Sequence, residues 1–447
     1  MMKKTLTILA IAGLLGIPAH LSAQRAKTGN PVLPEFHADP EILYAKQTKK
    51  YYIYSTTDGT PGWGGYYFTV FSSKDLTDWR HEGVMLDLGT DQVKWSDGNA
   101  WAPCIIEKKI DGKYKYFFYF SGNTPNGKAI AVATADHPCG PFTDAGHPIV
   151  DRRPEGQKHG QQIDVDVFED PVSGKSYLYW GNGYMAGAEL NEDMMSIKPE
   201  TETLMTPQGG TLQDYAFREA PYVFYRKGTY YFLWSVDDTG SPNYHVAYGT
   251  AKSPLGPIEV AKNPVILIQR PEQEIYGPAH NAVLQIPGKD EWYIVYHRIN
   301  KNYIKHQPGV HREVCIDKME FNEDGTIRPV KLSLDGVGPL RKVKGRKEIK
   351  ADTVYASSTA APLFIEPMQD DLCRRTEYFV PAFAADGLNG SRWMAAEGDK
   401  DKWLVADLGR IRKIRRSEIY FVRPTAGHAY QLEGSLDGTT WRKCGGH

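Results

Sequence analysis

The chain has 447 residues and a formal net charge of −1. A nearly neutral chain has no charge excess that would attract nucleic acid or an anionic membrane surface, so we expect a neutral partner. Because this length exceeds what one hydrophobic core usually supports, it predicts more than one domain.

The first 23 residues have the features of a signal peptide. Lys3 and Lys4 precede the apolar run 6–17, and residues 21–23 (Leu-Ser-Ala) offer a cleavage site. The apolar run is shorter than the about 20 residues that a membrane-spanning helix needs. We therefore predict export to the periplasm or the extracellular space, with no membrane span.

Five short aromatic runs recur along the chain at intervals of 53–65 residues. Aromatic and β-branched residues of this kind are typical of half-buried strands, and turn residues separate the runs from neighbouring strands. Repeats of this length, each with room for about four strands, predict a five-bladed β-propeller. The runs are Tyr51–Tyr54, Tyr116–Phe120, Tyr177–Trp180, Tyr230–Trp234 and Trp292–Tyr296.

A distinctive residue precedes each aromatic run by 11–15 positions and opens another short strand. The first strand of each propeller blade lines the central channel, so we expect these residues to converge at one mouth of the channel. They are Asp39, Trp101, Asp164, Glu219 and His280. Three of the five are carboxylates.

The composition changes after the fifth repeat. Residues 336–352 are rich in Gly, Lys and Arg and predict a linker after a propeller at 30–335. Beyond the linker, segments within 375–445 resemble the first half of a discoidin-like (coagulation factor C-type) β-sandwich. These segments are 385–387, 391–393, 403–409 and 435–441. We therefore predict an all-β protein whose residues 353–447 form a partial discoidin-like sandwich.

Three carboxylates at one channel mouth are suited to cleaving a glycosidic bond. Cleavage with inversion needs a carboxylate that activates water and a carboxylic acid that protonates the leaving oxygen, about 6.5–9.5 Å apart. A third carboxylate can raise the pKa of the acid by like-charge repulsion and can orient it. Asp39, Asp164 and Glu219 supply the three groups that this chemistry uses.

These residues stand in motifs that resemble glycoside hydrolase family 43, five-bladed β-propeller enzymes that hydrolyse arabinofuranosides and β-xylosides with inversion. The resemblance covers about 300 residues. The matching motifs are His37-Ala38-Asp39-Pro40, Trp101-Ala102-Pro103, Ile163-Asp164-Val165-Asp166-Val167-Phe168, Glu219-Ala220-Pro221 and His280-Asn281. One such motif is weak evidence, whereas five in order at blade spacing are strong evidence.

The resemblance implies that Asp39 is the general base, that Glu219 is the general acid, and that Asp164 modulates the pKa of the acid and orients it. From the residues alone, Asp39 could be a turn residue that opens a strand, and Glu219 could be a surface residue paired with Arg218. Asp166 lies on the same strand face as Asp164, but the Ile-Asp-x-x-x-Phe frame favours Asp164.

The resemblance also implies substrate binding by Trp101, His280 and Arg298. Trp101 could instead be a core residue of the channel wall, and Arg298 an exposed strand residue. His280 could be a satisfied core histidine, a substrate contact, or a neighbour of a calcium ion on the propeller axis. Calcium takes about 6–8 oxygen ligands, so water would have to hold most of such an ion. We expect no cofactor to be required.

The function that the resemblance implies is an exported α-L-arabinofuranosidase that trims plant cell-wall polysaccharides or oligosaccharides. A β-xylosidase is the alternative with the same chemistry, since both sugars present similar ring atoms to the same carboxylates. Loops 59–66 and 156–162 would discriminate between them. A non-catalytic sugar-binding propeller would also explain the aromatic residues, but it would not need an acid, a base and a modulator.

Overall fold

The computed structural model describes residues 5–9, 29–59, 63–305, 307–340, 349–365, 375–386, 391–422 and 428–446. The chain forms two compact units, Thr28–Lys342 and Val343–His447 together with Met1–Lys27. The described regular structure is almost entirely β-strand, which confirms the predicted all-β class. Short 3-10 turns occur at Pro199–Thr201, Pro271–Gln273, Lys301–Tyr303, Pro308–Val310 and Pro381–Ala384. Within these ranges, no helix has the length and apolarity needed to cross a bilayer.

The first strand of the chain, β1 (Thr5–Leu9), belongs to the second unit. The propeller of the first unit follows β1 in sequence. Blade 1 comprises β2 (His37–Ala45), β3 (Lys50–Thr57), β4 (Tyr67–Ser73) and β5 (Arg80–Asp87). Blade 2 comprises β6 (Trp101–Ile110), β7 (Lys113–Thr124), β8 (Gly127–Ala135) and β9 (Thr143–Asp144). Blade 3 comprises β10 (Asp166–Glu169), β11 (Ser176–Trp180), β12 (Ala186–Glu189) and β13 (Thr203–Leu204).

Blade 4 comprises β14 (Glu219–Arg226), β15 (Thr229–Val236), β16 (His245–Ala251) and β17 (Glu259–Leu267). Blade 5 comprises β18 (Tyr276–Gln285), β19 (Trp292–Ile299) and β20 (Arg312–Met319). In each blade the strands pair in sequence order. Five separate sheets of this kind confirm the predicted five-bladed propeller.

The five aromatic runs all lie in the second strands of the blades, and they are buried on both faces. In a strand, successive side chains point to opposite faces. Tyr52 and Tyr54 therefore pack in the core between blades 1 and 2, whereas Tyr51 and Ile53 pack in the core between blades 1 and 5. The same alternation recurs in the other blades, so each run joins its blade to both neighbours.

The N-terminal segment of the first unit closes the ring against blade 5. The backbone N–H of Val32 donates to the Val314 carbonyl at 2.8 Å. Asn30 pairs through its side-chain amide, which donates to the Ile316 carbonyl at 3.1 Å and accepts from the Ile316 N–H at 2.8 Å. The start and the end of the propeller are therefore hydrogen-bonded to each other.

Each blade has one residue with a positive φ angle where its chain reaches the channel. These residues are Asp39, Ala102, Asp164, Ala220 and His280. Such angles are uncommon outside glycine, and here they accompany shifts in strand register in four of the five first strands. Trp101 and Glu219 each precede the positive-φ residue by one position. The five residues that we selected from the sequence are therefore near neighbours in the ring rather than equivalent positions.

The second unit contains a five-stranded sheet in the order β21, β24, β1, β25, β26 and a two-stranded sheet of β22 and β23. These strands are β21 (Thr353–Ala356), β22 (Leu363–Ile365), β23 (Arg375–Glu377), β24 (Trp403–Asp407), β25 (Ala429–Gly434) and β26 (Arg442–Gly446). In this structure β1 pairs in parallel with β24 and β25. The rest of the predicted signal peptide lies outside the described residues.

A second layer of titratable residues lies below the channel mouth. Glu41 follows Asp39 by two positions on β2, Asp166 follows Asp164 by two positions at the start of β10, and all four are buried. Burial raises the pKa of Asp166 to about 7, although the Val223 N–H donates to its Oδ2 at 2.8 Å. Burial and the charge of Asp166 raise the pKa of Glu41 well above its usual value. This pair therefore favours its protonated form in the folded protein.

We expect Asp166→Asn to reduce the loss of stability on going from about pH 5 to about pH 8. A carboxyl group with a raised folded-state pKa stabilises the fold fully below its unfolded pKa, and that stability is lost as the pH rises through about 7. Each pKa unit corresponds to about 1.4 kcal/mol. Calorimetric melting temperatures of the variant and of the wild type across this range measure the effect.

Glu155→Gln, at an exposed position of the same unit, is the matched control. Its melting curve should follow that of the wild type at every pH. If Asp166→Asn did the same, the buried pair would not control the pH dependence of stability.

Candidate active site

Four side chains from blades 1 and 5 surround the carboxyl group of Asp39. Its Oδ1 lies 2.9 Å from Nη1 of Arg312, 3.1 Å from Nδ1 of His280 and 3.2 Å from Nδ1 of His297. Its Oδ2 accepts a hydrogen bond of 2.7 Å from the Thr56 hydroxyl. Burial acts to raise the pKa of Asp39, but Arg312 and His280 outweigh it and hold this pKa well below the usual value. Asp39 is therefore a carboxylate at neutral pH.

Arg312 is fixed by a second carboxylate. Its Nε and Nη2 donate to the two oxygens of Asp58 at 2.8 and 2.9 Å, and its Nη1 also donates to the Thr239 hydroxyl at 3.0 Å. A bidentate pair of this kind sets the orientation of the guanidinium plane. The contact between Arg312 and Asp39 therefore has a defined geometry.

Glu219 has different partners, although it is buried to a similar extent. Its Oε1 accepts a hydrogen bond of 2.7 Å from the Tyr244 hydroxyl, and its Oε2 accepts one from the side-chain amide of Asn182. The nearest cation, Arg218, has its Nε 3.9 Å from Oε2. Burial raises the pKa of Glu219, while Tyr244 and Arg218 act against that rise without cancelling it. Glu219 thus holds its proton more readily than a solvated glutamate.

Asp164 belongs to the same electrostatic group as Asp39 and Glu219. Burial raises its pKa well above the usual value, the charge of His280 opposes this rise, and the charges of Glu219 and Asp39 add to it. Asp166, by contrast, interacts with Glu41 in the deeper layer. The structure therefore brings Asp164 rather than Asp166 together with the other two predicted carboxylates.

His280 lies between the carboxylates. Burial acts to lower its pKa, but Asp39 and Asp164 outweigh this and raise it. His297 behaves oppositely, because burial lowers its pKa to about 3 and its Nδ1 accepts a hydrogen bond of 3.1 Å from the Asp39 backbone N–H. The pKa values of the two histidines beside Asp39 are thus shifted in opposite directions.

Calcium would find few direct ligands here. Among the described residues, no group of three or more His, Cys, Asp or Glu side chains could hold a metal ion. The Nδ1 of His280 already faces Asp39. A water-held calcium ion near His280 stays an expectation from the sequence.

Trp101 lies on the rim of blade 2, where it is partly exposed. One face of its ring is covered by the ammonium group of Lys128, whose Nζ lies 4.2 Å from the ring centroid. The backbone N–H of the next residue, Ala102, donates to Thr56 Oγ1 at 2.8 Å, and the same hydroxyl contacts Asp39. The Thr56 side chain therefore links Asp39 to the backbone of the residue that follows Trp101.

Arg298 points away from the carboxylates. Its Nε lies 3.3 Å from Oε2 of Glu313, and in the described part of the chain no hydrogen bond or ion pair joins it to Asp39, Asp164 or Glu219. The reason is strand alternation, because the neighbouring His297 faces Asp39. Arg312 holds the position that we expected for Arg298. Substrate binding by Arg298 thus stays a prediction without a supporting contact.

Several site residues carry no signal that the sequence analysis used. Arg312 opens the third strand of blade 5, and Tyr244 directly precedes the third strand of blade 4, whereas the repeated motifs lie in the first and second strands. Asn182 lies in the turn after β11, and Thr56 near the end of β3. All four residues lie at or next to the end of a strand, on the side of the channel mouth.

The arrangement places two carboxyl groups with oppositely shifted pKa values at one channel mouth. Asp39 is charge-stabilised by Arg312 and His280 and can accept a proton from water. Glu219 carries a raised pKa and can donate one. These are the two groups that an inverting displacement at a glycosidic carbon requires.

Comparison with known proteins agrees with this chemistry. The model of the glycosyl hydrolases family 43 matches residues 28–327, and the model of the F5/8 type C domain matches residues 356–446. The second match confirms the discoidin-like character of the C-terminal unit.

Two characterised relatives are glycosidases. A β-D-galactofuranosidase of Aspergillus niger is 35% identical over 326 residues, which cover 71% of this chain and 88% of that protein. An arabinoxylan arabinofuranohydrolase of Bacillus subtilis is 30% identical over 319 residues, which cover 64% of this chain and 58% of that protein. The chain thus spans little more than half the length of the Bacillus protein.

Solved structures share the fold. A structure described as a glycoside hydrolase has a TM-score of 0.71 and 38% identity and covers 95% of this chain and 92% of its own. A thermostable family-43 glycoside hydrolase has a TM-score of 0.58 and 27% identity, with 69% of this chain and 96% of its own covered.

We expect Thr56→Val to destabilise the propeller by about 1–3 kcal/mol, because it leaves the buried Ala102 N–H without its partner. Thr69→Val is the matched control in the same blade, since the buried hydroxyl of Thr69 has no hydrogen-bond partner among the described residues. Denaturant unfolding of both variants measures the difference. Equal stability of the two variants would show that the Thr56 hydroxyl does not join the blades.

Proposed function

Because the chain belongs to glycosyl hydrolase family 43 and is a glycoside hydrolase, we propose that it removes terminal α-L-arabinofuranosyl residues with inversion of configuration. In this proposal Asp39 is the general base, Glu219 the general acid, and Asp164 the group that raises the pKa of the acid. The observation that carries the proposal is the difference in partners between two equally buried carboxylates. Arg312 and His280 contact Asp39, whereas Tyr244 and Asn182 contact Glu219.

The pKa shifts of Asp39 and Glu219 suit this assignment. Asp39 is ionised and can remove a proton from the attacking water, while Glu219 can protonate the departing oxygen. Asp164 and Glu219 interact electrostatically, because the charge of Glu219 helps to raise the pKa of Asp164. Trp101 and His280 are the proposed substrate contacts.

A β-D-galactofuranoside is the second candidate substrate. The galactofuranosidase of Aspergillus niger is 35% identical to this chain, and the alignment covers 88% of that protein. β-D-Galactofuranose and α-L-arabinofuranose share ring size and ring stereochemistry and differ in the exocyclic chain. A β-xyloside, which has a six-membered ring, remains the third possibility, since family relatives named xylosidase/arabinosidase also match.

We further propose that the enzyme is exported and acts on plant cell-wall polysaccharides or oligosaccharides. The basic and apolar start of the sequence supports export. The F5/8 type C domain supports a polymeric carbohydrate, because this fold is shared by many carbohydrate-binding modules. A propeller that only binds sugar would not require pKa shifts of opposite direction at Asp39 and Glu219.

The decisive experiment compares hydrolysis of 4-nitrophenyl α-L-arabinofuranoside, β-D-galactofuranoside and β-D-xylopyranoside, with the anomeric configuration of the first product followed by NMR. We expect the arabinoside to be cleaved fastest, with inversion. Asp39→Asn should lower turnover of every substrate by about 10²–10⁴-fold, the usual contribution of a general base. Faster release from another glycoside would replace the substrate, and undiminished turnover by Asp39→Asn would exclude Asp39 as the base.

The role of Glu219 is tested by changing the leaving group. We expect Glu219→Gln to lose about 10²–10⁴-fold on alkyl glycosides, which need a proton on departure, and much less on 4-nitrophenyl glycosides, which do not. Glu155→Gln at an exposed position is the control and should leave both rates unchanged. An equal loss on both classes of glycoside would contradict the assignment of Glu219 as the acid.

A further inference from the structure

A lysine without a carboxylate partner lies at the rim of the channel. Lys128 is the second residue of β8, and its Nζ lies over the ring of Trp101. The ammonium group donates to the side-chain oxygen of Asn99 and, at 3.4 Å, to that of Asn123. Lys128 is thus held from two sides by neutral acceptors and from below by an aromatic ring.

This environment differs from that of other partly buried lysines in the propeller. Lys108 pairs with Glu169 at 3.0 Å, and Lys198 pairs with Glu189. For Lys128, no described carboxylate lies within ion-pair distance. Burial lowers its pKa to about 8, and the more distant charge of Asp97 only partly opposes this. The protein therefore tolerates a desolvated cation at this rim without neutralising it.

The geometry leaves one N–H of the ammonium group for another partner. An ammonium group has three donors, and two of them face Asn99 and Asn123. Asn99 is itself held, because its side-chain nitrogen donates to the Trp63 carbonyl at 2.8 Å. The acceptors that position Lys128 are thus built into the rim.

The same rim offers a flat surface for a sugar. The side chain of Tyr66 is 48% exposed, which is unusual for a tyrosine in this propeller. Its ring lies against Gly98, where an added Cβ would be 3.4 Å from the Tyr66 ring carbon Cε1. Gly98 directly precedes Asn99. An exposed aromatic ring beside fixed polar groups is the composition of a carbohydrate subsite.

We propose that Lys128 binds a carboxylate on the glycan next to the residue that is cleaved, so that the enzyme prefers substrates that carry a uronic acid. This inference rests on the proposed glycosidase function, because it concerns a neighbouring sugar of the same substrate. The link to the reacting sugar is short, since Trp101 under Lys128 adjoins Ala102, whose N–H shares the Thr56 hydroxyl with Asp39.

The competing explanation is that Lys128 only supports Trp101. A supporting lysine would affect all substrates alike, whereas a carboxylate-binding lysine affects only substrates that carry the charge. A charge-assisted hydrogen bond is worth more than a neutral one, and its loss in a partly desolvated site corresponds to about tenfold to hundredfold in binding. The two explanations therefore predict different effects on the ratio of kcat/KM between the charged and the neutral substrate.

The test compares a uronic-acid-containing arabinosylated oligosaccharide with the same oligosaccharide after reduction of its carboxyl group to the neutral alcohol. We expect the wild type to show a kcat/KM about tenfold to hundredfold higher for the acidic form. Lys128→Met should abolish this preference, and Lys128→Arg should retain most of it. Lys115→Met is the control, because Lys115 also lies over an aromatic ring of blade 2, Phe117.

A wild-type enzyme without preference for the acidic form, or a Lys128→Met variant that loses both forms equally, would overturn the proposal. Calorimetric binding of the two oligosaccharides to Asp39→Asn, with and without Lys128→Met, keeps the test independent of turnover. If no arabinoside were hydrolysed but the acidic form still bound in a Lys128-dependent manner, the proposed function would fail and the carboxylate site would stand.

Discussion

The site depends on a set of hydrogen bonds that cross from blade to blade. The backbone N–H of a positive-φ residue at the channel mouth donates to a side chain on the second strand of the preceding blade. The four pairs are Ala102 with Thr56, Asp164 with Ser121, His280 with Ser235, and Asp39 with His297. Because the positive φ turns each N–H out of its own sheet, the same distortion that interrupts the strand pairing supplies the donor. Three of these four donors belong to residues of the proposed active site, so closing the ring also positions the carboxylates.

The opposite tasks of Asp39 and Glu219 follow from their neighbours rather than from their burial. Burial alone would raise the pKa of both carboxyl groups. Two cationic groups reverse this for Asp39, whereas Glu219 receives mainly the neutral donors Tyr244 and Asn182. If Asp58 did not fix the guanidinium of Arg312, that guanidinium would lower the pKa of Asp39 less effectively. The bidentate pair of Arg312 and Asp58 therefore maintains the difference in pKa between Asp39 and Glu219.

The sequence predicted the parts of the protein that repeat, because repetition makes a pattern visible in one chain. The aromatic runs predicted the second strands, and the carboxylates before them predicted which side chains reach the channel. The sequence did not reveal Arg312, Tyr244 or Asn182, since each lies in a third strand, directly before one or in a turn, outside the repeated motifs of the first and second strands. The family resemblance implied Arg298, but strand alternation in the folded chain turns Arg298 toward Glu313 and its neighbour His297 toward Asp39.

A single glycine, Gly160, keeps a loop near the proposed site packed against the turn that carries a contact of Glu219. Loop 156–162, one of the two loops that we expect to discriminate between sugars, pairs with the turn that carries Asn182. At Gly160 an added Cβ would lie 2.2 Å from the Asn182 carbonyl oxygen, and the φ angle of +93° is one that other residues rarely adopt. A side chain at this position would push the turn away and with it the amide that contacts Glu219. The loop can therefore vary on its outer side, where the sugar would bind, but its return at Gly160 is constrained by the acid, so that a change of substrate need not disturb the proton donor.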